Sequence, residues 1–284
     1  MTQDHQWVIE RWKDIETHYR IESILYENSS EFQHMKVVES SLYGRMLLLD
    51  GVVQATEKDE FIYHEMMSHI PLLSHPNPEK VLVIGGGDGG ILREVLRHRH
   101  VKKATIVEID PAVINICKEF LPTISNGAFD DIRADLVVTD GARFVKETDV
   151  KYDVIIVDSS DPIGPATVLF SKEFYGGIHD LLSPDGIMVC QTGSIHMQPD
   201  EQRASYILLK DIFQIVRPYV FAIPTYVGGF FSAMFCSDKI DPCKTSLNSL
   251  EQKSSASKIK TRYYNPGVHI GAFYVPGFLN ERLI

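Results

Sequence analysis

Paired cysteines, long apolar runs and an excess of positive charge are all missing from this chain, and each absence removes a class of protein. The four cysteines, Cys117, Cys190, Cys236 and Cys243, show no paired spacing, and three of them fall in apolar stretches. Free thiols are therefore expected, with no disulfide framework and no metal site. No stretch approaches the roughly 20 apolar residues of a membrane-crossing helix, and Met1 to Trp12 is interleaved with polar residues rather than built on a signal-peptide core. A cytoplasmic location is the expectation. Against 38 Asp and Glu there are 28 Lys and Arg, a formal charge of -10, which argues against nucleic acid as a partner and is compatible with cationic ligands. Internal repeats are also lacking.

What remains is a chain of 284 residues with 44% hydrophobic content, enough for one large domain and a smaller appendage. Strand signals run from about Tyr19 to Thr56, with turns at Tyr43-Gly44 and Asp50-Gly51, and read as a small antiparallel sheet. Phe61, Ile62, Met66 and Ile70 follow at helical spacing, until Pro71, Pro76 and Pro78 close the segment. This divides the chain into an N-terminal β-strand part with its linking helix, 1–74, and a larger part, 75–284.

In the larger part, strands and helices alternate: strands at 81–84, 104–109, 136–138, 153–158 and 187–191, with helices at 90–98, 111–120, 141–147 and 172–182. Such alternation predicts an α/β fold with a parallel, doubly wound sheet. A helix over 199–216 and two closing strands at 219–223 and 231–236 complete a Rossmann-like, methyltransferase-type sheet. The polar stretch 244–260 reads as a helix or surface connection, and 262–266 as a return to strand.

The glycine loop Gly85-Gly86-Gly87-Asp88-Gly89-Gly90 directly follows the first of these strands, and Gly85, Gly87 and Gly90 satisfy G-x-G-x-x-G. A dinucleotide pyrophosphate needs the bare amides and positive helix end of such a loop, and the carboxylate of Asp88 would repel it. The loop suits a cation instead, the alternative being that Asp88 only shapes the turn or caps the helix. Ligands of open parallel sheets bind at the carboxyl ends of the strands, and here those ends are acidic. Glu108 lies eighteen residues beyond Gly90, close to the roughly 20 expected of an acid holding ribose hydroxyls. Asp140 and Gly141 would flank an adenine, a carboxylate accepting from the exocyclic amine and an amide donating to the ring. The alternative for both acids is a strand-end turn. Asp158 and Asp161 leave the sheet together in Asp158-Ser159-Ser160-Asp161-Pro162-Ile163-Gly164-Pro165, a segment whose prolines restrict the backbone. His98 and His100 lack a ligand constellation and read as surface residues.

These residues, with Leu49-Asp50-Gly51-Val52-Val53-Gln54, Asp59-Glu60-Phe61-Ile62-Tyr63-His64-Glu65-Met66, Val107-Glu108-Ile109-Asp110 and Ile223-Pro224-Thr225-Tyr226, resemble the polyamine aminopropyltransferases, the family of the spermidine synthases, over nearly the whole chain. The resemblance implies transfer of an aminopropyl group from decarboxylated S-adenosylmethionine, as co-substrate and without a bound cofactor, to putrescine, giving spermidine and methylthioadenosine. It implies Asp158 as the base, and Tyr63, His64, Asp88, Ser159, Ser160, Asp161 and Tyr226 along the acceptor groove. On the donor side it implies Gln33, Gly85, Asp88, Glu108, Asp140, Gly141 and Pro165, with Gln54 as a weaker candidate, and a homodimer or homotetramer joined through the N-terminal sheet. Asp88 would select the decarboxylated donor, whose tail ends in an ammonium rather than carrying a carboxylate. His64 stands where some relatives carry glutamine, so acceptor binding is expected to depend on pH near neutrality. A putrescine N-methyltransferase, or a non-catalytic polyamine- or nucleoside-binding subunit, are the alternatives.

Overall fold

The structure is a computed structural model and describes residues 6–12, 14–159 and 168–283. Six strands come first: β1 (Gln6–Trp12), β2 (Ile15–Ile21), β3 (Ser23–Ser29), β4 (His34–Ser40), β5 (Gly44–Leu49) and β6 (Val52–Thr56). β1 and β2 form a two-stranded hairpin, and β3 to β6 a four-stranded antiparallel sheet in sequential order. The hairpin starts well before the region where strand signals were expected. Its first strand alternates, but one inward position is the buried Glu10, beside Val8, and a charged residue disguises the pattern.

The helix α1 (Glu60–Ser74) follows, and apart from Phe61 all its residues are buried. A helix hydrophobic on several sides belongs inside, and α1 packs against both a neighbouring helix and the central sheet. Burying Met66, Met67 and Ile70, each fully enclosed, contributes on the order of 1.5–3 kcal/mol apiece. The same burial obliges its polar residues Tyr63, His64, Glu65 and His69 to find partners.

From there the chain alternates as expected: β7 (Lys80–Gly85), α2 (Gly90–Leu96), β8 (Lys103–Glu108), α3 (Pro111–Phe120), α4 (Pro122–Ser125), β9 (Ala134–Val138), α5 (Gly141–Glu147), β10 (Tyr152–Asp158), α6 (Lys172–Leu181), β11 (Leu182–Ser194), α7 (Pro199–Lys210), β12 (Ile215–Ala222) and β13 (Phe230–Ser237). Seven strands form one sheet in the order β9-β8-β7-β10-β11-β13-β12, with β13 antiparallel to both its neighbours. Alternate residues feed two cores: Val81 and Val83 face the side of α1 and α2, while Leu82 and Ile84 face the side of α5, α6 and α7. The order reverses between β7 and β10, the switch point at which open sheets bind ligands. There the register sets Asp158 beside Gly85.

Two segments differ from expectation. The helix expected over 199–216 stops at Lys210, because Ile215 and Val216 already pair with Ser237 and Cys236 in the sheet. No strand forms at 262–266: the Glu65 carboxylate accepts the backbone N–H groups of Arg262, Tyr263 and Tyr264 at 2.8 Å, satisfying donors that a sheet neighbour would otherwise need. Asn265 then caps α9 (Pro266–Ala272), and α10 (Gly277–Leu283) follows. Before them the polar stretch holds α8 (Leu247–Ser257). Cys117, Cys190 and Cys236 are buried free thiols and Cys243 an exposed one. Among the described residues no helix is long and apolar enough to cross a membrane.

Candidate active site

The glycine loop leaves β7 in a conformation that side chains oppose. Gly85 and Gly86 have φ of +82° and +74°, and a Cβ on Gly85 would lie 2.0 Å from the Asp158 carbonyl oxygen. A Cβ on Gly86 would meet the Asp158 carboxylate at 3.0 Å, and one on Gly87 the Glu108 carboxylate at 3.0 Å. The glycines thus let two strand-end acids close on the loop. Gly141 serves the neighbouring turn similarly, since a Cβ there would strike Ile84 at 2.6 Å.

One cleft of about 1180 Å³, its mouth included, is lined by Gln33, Gln54, Tyr63, His64, Gly85, Asp88, Glu108, Asp140, Gly141, Asp158, Ser159 and Tyr226. Ser160, Asp161 and Pro165 lie outside the described residues. A narrower recess of about 480 Å³ shares Gln54, Tyr63, Asp158, Ser159 and Tyr226 with the cleft and continues past them to Glu10, Trp12, Gln198 and Phe231. Tyr63 and Asp158 therefore stand where a wide chamber meets a narrow one.

The Tyr63 hydroxyl donates to Asp158 Oδ1 at 2.5 Å. Burial and the Asp158 charge push the Tyr63 hydroxyl well above its ordinary range, so it remains a donor. Burial, then the nearby Asp88 charge, raise the Asp158 carboxyl to about 6, although Tyr63 and His64 pull it down. Asp88 Oδ1 accepts the Gly90 N–H at 2.8 Å, and Oδ2 faces His64 Nε2 at 3.3 Å. Asp88 thus shapes the turn, as the structural alternative supposed, and also faces the cleft. Burial raises its carboxyl, but His64 and the Gly90 N–H outweigh that and leave it below the usual range. At the other end of the cleft Glu108 accepts from the Asp110 N–H at 2.9 Å. Burial pushes its carboxyl up to about 7, and the charges of Asp110 and Asp158 add to this. Asp140 caps α5 through the Arg143 N–H at 2.8 Å.

Expected pH sensitivity of His64 near neutrality is not what the geometry gives. Burial lowers its basicity, but Asp88 and Glu60 together raise it to about 10, so the ring keeps its proton through the neutral range. His98 is another correction: it is buried, bonded at 2.9 Å to His69, while His100 is exposed as expected.

Several supporting residues escaped sequence reasoning. Asp110 accepts from the Gln33 amide at 3.0 Å and from Ser30 at 2.6 Å, tying the N-terminal sheet to the end of β8. Asp59 accepts from Thr56 and from Thr225, and Tyr226 donates to the Gln54 carbonyl at 2.7 Å, so the groove wall is anchored to α1 and β6. The Tyr19 hydroxyl donates to the Thr225 carbonyl, which brings the first hairpin over the narrow recess. Gln191 donates to the Ser159 carbonyl at 2.9 Å. Glu60, the partner of His64, carried a readable signal, lying four residues before it on a helix; apart from the Thr56–Asp59 contact, the residues above meet across long sequence separations.

The family model described as the spermine/spermidine synthase domain matches residues 60–247, and one described as the spermidine synthase tetramerisation domain matches 6–57. The chain belongs to the spermine/spermidine synthase family. A polyamine aminopropyltransferase of Pseudomonas syringae pv. tomato is 48% identical over 261 residues, covering 92% of this chain and 91% of the relative. One of Serratia proteamaculans is 44% identical over 283 residues, covering 100% and 99%. Among solved structures, a spermidine synthase in complex with the transition state analogue AdoDATO superposes with a TM-score of 0.94 at 37% identity, over 99% of this chain and 96% of that one. The spermidine synthase of Thermotoga maritima gives 0.91 at 36%, over 99% and 95%. The family's two matched segments meet ahead of α1, which accords with α1 packing on the central sheet.

Proposed function

We propose that this chain is an aminopropyltransferase that makes spermidine, moving the aminopropyl group of decarboxylated S-adenosylmethionine onto putrescine in the cleft between the glycine loop and α1. The observation that carries the residue-level reading is the Tyr63–Asp158 hydrogen bond at the junction of the two chambers, with Asp88 facing the wider one. The nucleoside fills the wide chamber, its ribose on Glu108 and its adenine beside Asp140 and Gly141. The ammonium tail of the donor pairs with Asp88. The diamine occupies the narrow recess, one nitrogen at Asp158 and Tyr63, the other directed toward its far end.

An acceptor ammonium has no lone pair, and its ordinary pKa is near that of lysine, about 10.4. Asp158 takes one proton from it, and the Tyr63 hydroxyl orients the group. The freed nitrogen pair forms the new bond to the propyl carbon next to sulfur. The carbon–sulfur pair returns to sulfur, leaving neutral methylthioadenosine, and the new secondary ammonium of spermidine keeps its two remaining protons. A sulfonium is already activated for departure, so neither metal nor prosthetic group enters this reading. The protein's contribution is alignment of nitrogen, carbon and sulfur in the cleft. Assembly through the N-terminal sheet as a dimer or tetramer, and a cytoplasmic location, complete the proposal; the match of 6–57 to a tetramerisation domain supports the former.

The test offers decarboxylated and ordinary S-adenosylmethionine with a panel of diamines and follows methylthioadenosine against S-adenosylhomocysteine. Methylthioadenosine formation dependent on putrescine is expected. Methylation without aminopropyl transfer would replace this reading with an N-methyltransferase.

A further inference from the structure

Behind the cleft, α1 and α2 are joined by a buried run of alternating charge. His64 Nδ1 lies 2.5 Å from Glu60 Oε2, and Nε2 lies 3.3 Å from Asp88 Oδ2. The ring is 3% exposed. Both carboxylate oxygens of Glu60 accept from Arg93, at 3.1 and 2.9 Å, and Arg93 also donates to Glu94 at 2.8 Å and to the Ile124 carbonyl at 2.5 Å. The ring fits because the first residue of α2 is glycine: a Cβ on Gly90 would sit 2.2 Å from it.

A neutral imidazole donates through one nitrogen only. With a carboxylate at each nitrogen and no room to turn, the neutral form would aim a lone pair at one of them. We propose, building on the aminopropyl-transfer reading, that Glu60, clamped by Arg93, is a positioning residue that holds His64 as an imidazolium against Asp88 and so keeps one fixed cation beside the two carboxylates of the amine end. The groups around the ring are Glu60 and Tyr63 of α1, Asp88 of the glycine loop, Arg93 of α2 behind Glu60, and Asp158 of β10. The cation helps Asp88 and Asp158 ionise together, because it opposes the burial and the Asp88 repulsion that raise Asp158. Glu60 acts through His64 and touches neither substrate.

The experiment has two readouts on the full-length enzyme. Imidazole NMR without substrates is expected to show the His64 ring protonated from pH 6 to 8.5 in the wild type, and titrating within that range in Glu60→Gln. The acid limb of kcat/KM is expected to rise by roughly one pH unit in His64→Gln, which removes the cation at every pH, and the wild-type ring titration is expected to return in Glu60→Asp. A wild-type His64 that loses its proton below pH 8 overturns the proposal, even if Glu60→Gln does not fold. So does a Glu60→Gln ring that stays protonated up to pH 8.5, or an acid limb that His64→Gln leaves in place. The ring titration is independent of the reaction assigned, whereas a wild type that releases no methylthioadenosine would overturn the activity alone.

Discussion

The two ends of the cleft treat the same kind of side chain in opposite ways. At the nucleoside end, Glu108 is buried with backbone N–H groups as its partners, and its carboxyl rises to about 7. At the amine end, Asp88 is also enclosed, yet it lies below the usual carboxylate range because His64 faces it as a cation. Asp158, which lines both chambers, rises to about 6. All three close parallel strands or follow them directly, so position in the fold does not distinguish them. One buried cation does. The difference suits the ligands proposed for the two ends: hydroxyls of a ribose carry no charge, whereas an ammonium tail is bound best by a full carboxylate.

The largest test of this contrast removes the proposed base. Asp158→Asn preserves a hydrogen-bond acceptor for Tyr63 but cannot take a proton, and turnover is expected to fall by about 10³-fold or more. Methylthioadenosine affinity measured by calorimetry should stay within a few fold; undiminished turnover would remove Asp158 from the role. Next, Asp88→Asn should erode the preference for the decarboxylated donor over S-adenosylmethionine by on the order of 10²-fold, the cost of losing one partner of an enclosed charge pair. Competition binding of the two donors reads this directly, and an unchanged ratio would show that the ammonium is read elsewhere.

A finer test concerns Glu108. At pH 6.5 its carboxyl is largely protonated, and ribose hydroxyls that donate to it favour the ionised form. Methylthioadenosine binding should therefore release a fraction of a proton at pH 6.5, seen as a heat that varies with buffer ionisation enthalpy, and Glu108→Gln should abolish that dependence. The smallest expected effect is on stability. The His64 ring is raised from an unfolded value near 6.5 to about 10, so its contribution is complete below pH 6.5 and is lost as pH rises through 10. Thermal denaturation should show a decline from pH 7 to 10 that is shallower in His64→Gln. Equal slopes would mean that the ring is not held as a cation.

Much of the site was legible along the chain because the physics that gathers it is local to each strand. A parallel strand followed by a glycine loop or helix ends at one edge of the sheet, so Asp88, Glu108, Asp140 and Asp158 converge whatever lies between them. The architecture of the larger part followed from the same alternation. The N-terminal hairpin did not, since its buried Glu10 interrupts the apolar pattern and finds its partners in Tyr19 across the hairpin and in Val53, more than forty residues on. The strand expected at 262–266 failed for a related reason: its backbone donors are taken by Glu65, nearly two hundred residues earlier. His98 looked like a surface residue because nothing near it in sequence explains a buried imidazole; His69, on α1, does.

By itself the sequence determined the strand order's raw material, the glycine loop and the identity of the acids at the strand ends, since spacing and alternation depend on neighbours a few residues apart. Only the tertiary structure decided which of those acids is ionised and which is poised to titrate. That depends on desolvation and on charges within a few ångströms, and the deciding partners, Glu60 and His64 on α1, Asp88 on the glycine loop and Arg93 on α2, meet only when the two helices pack together.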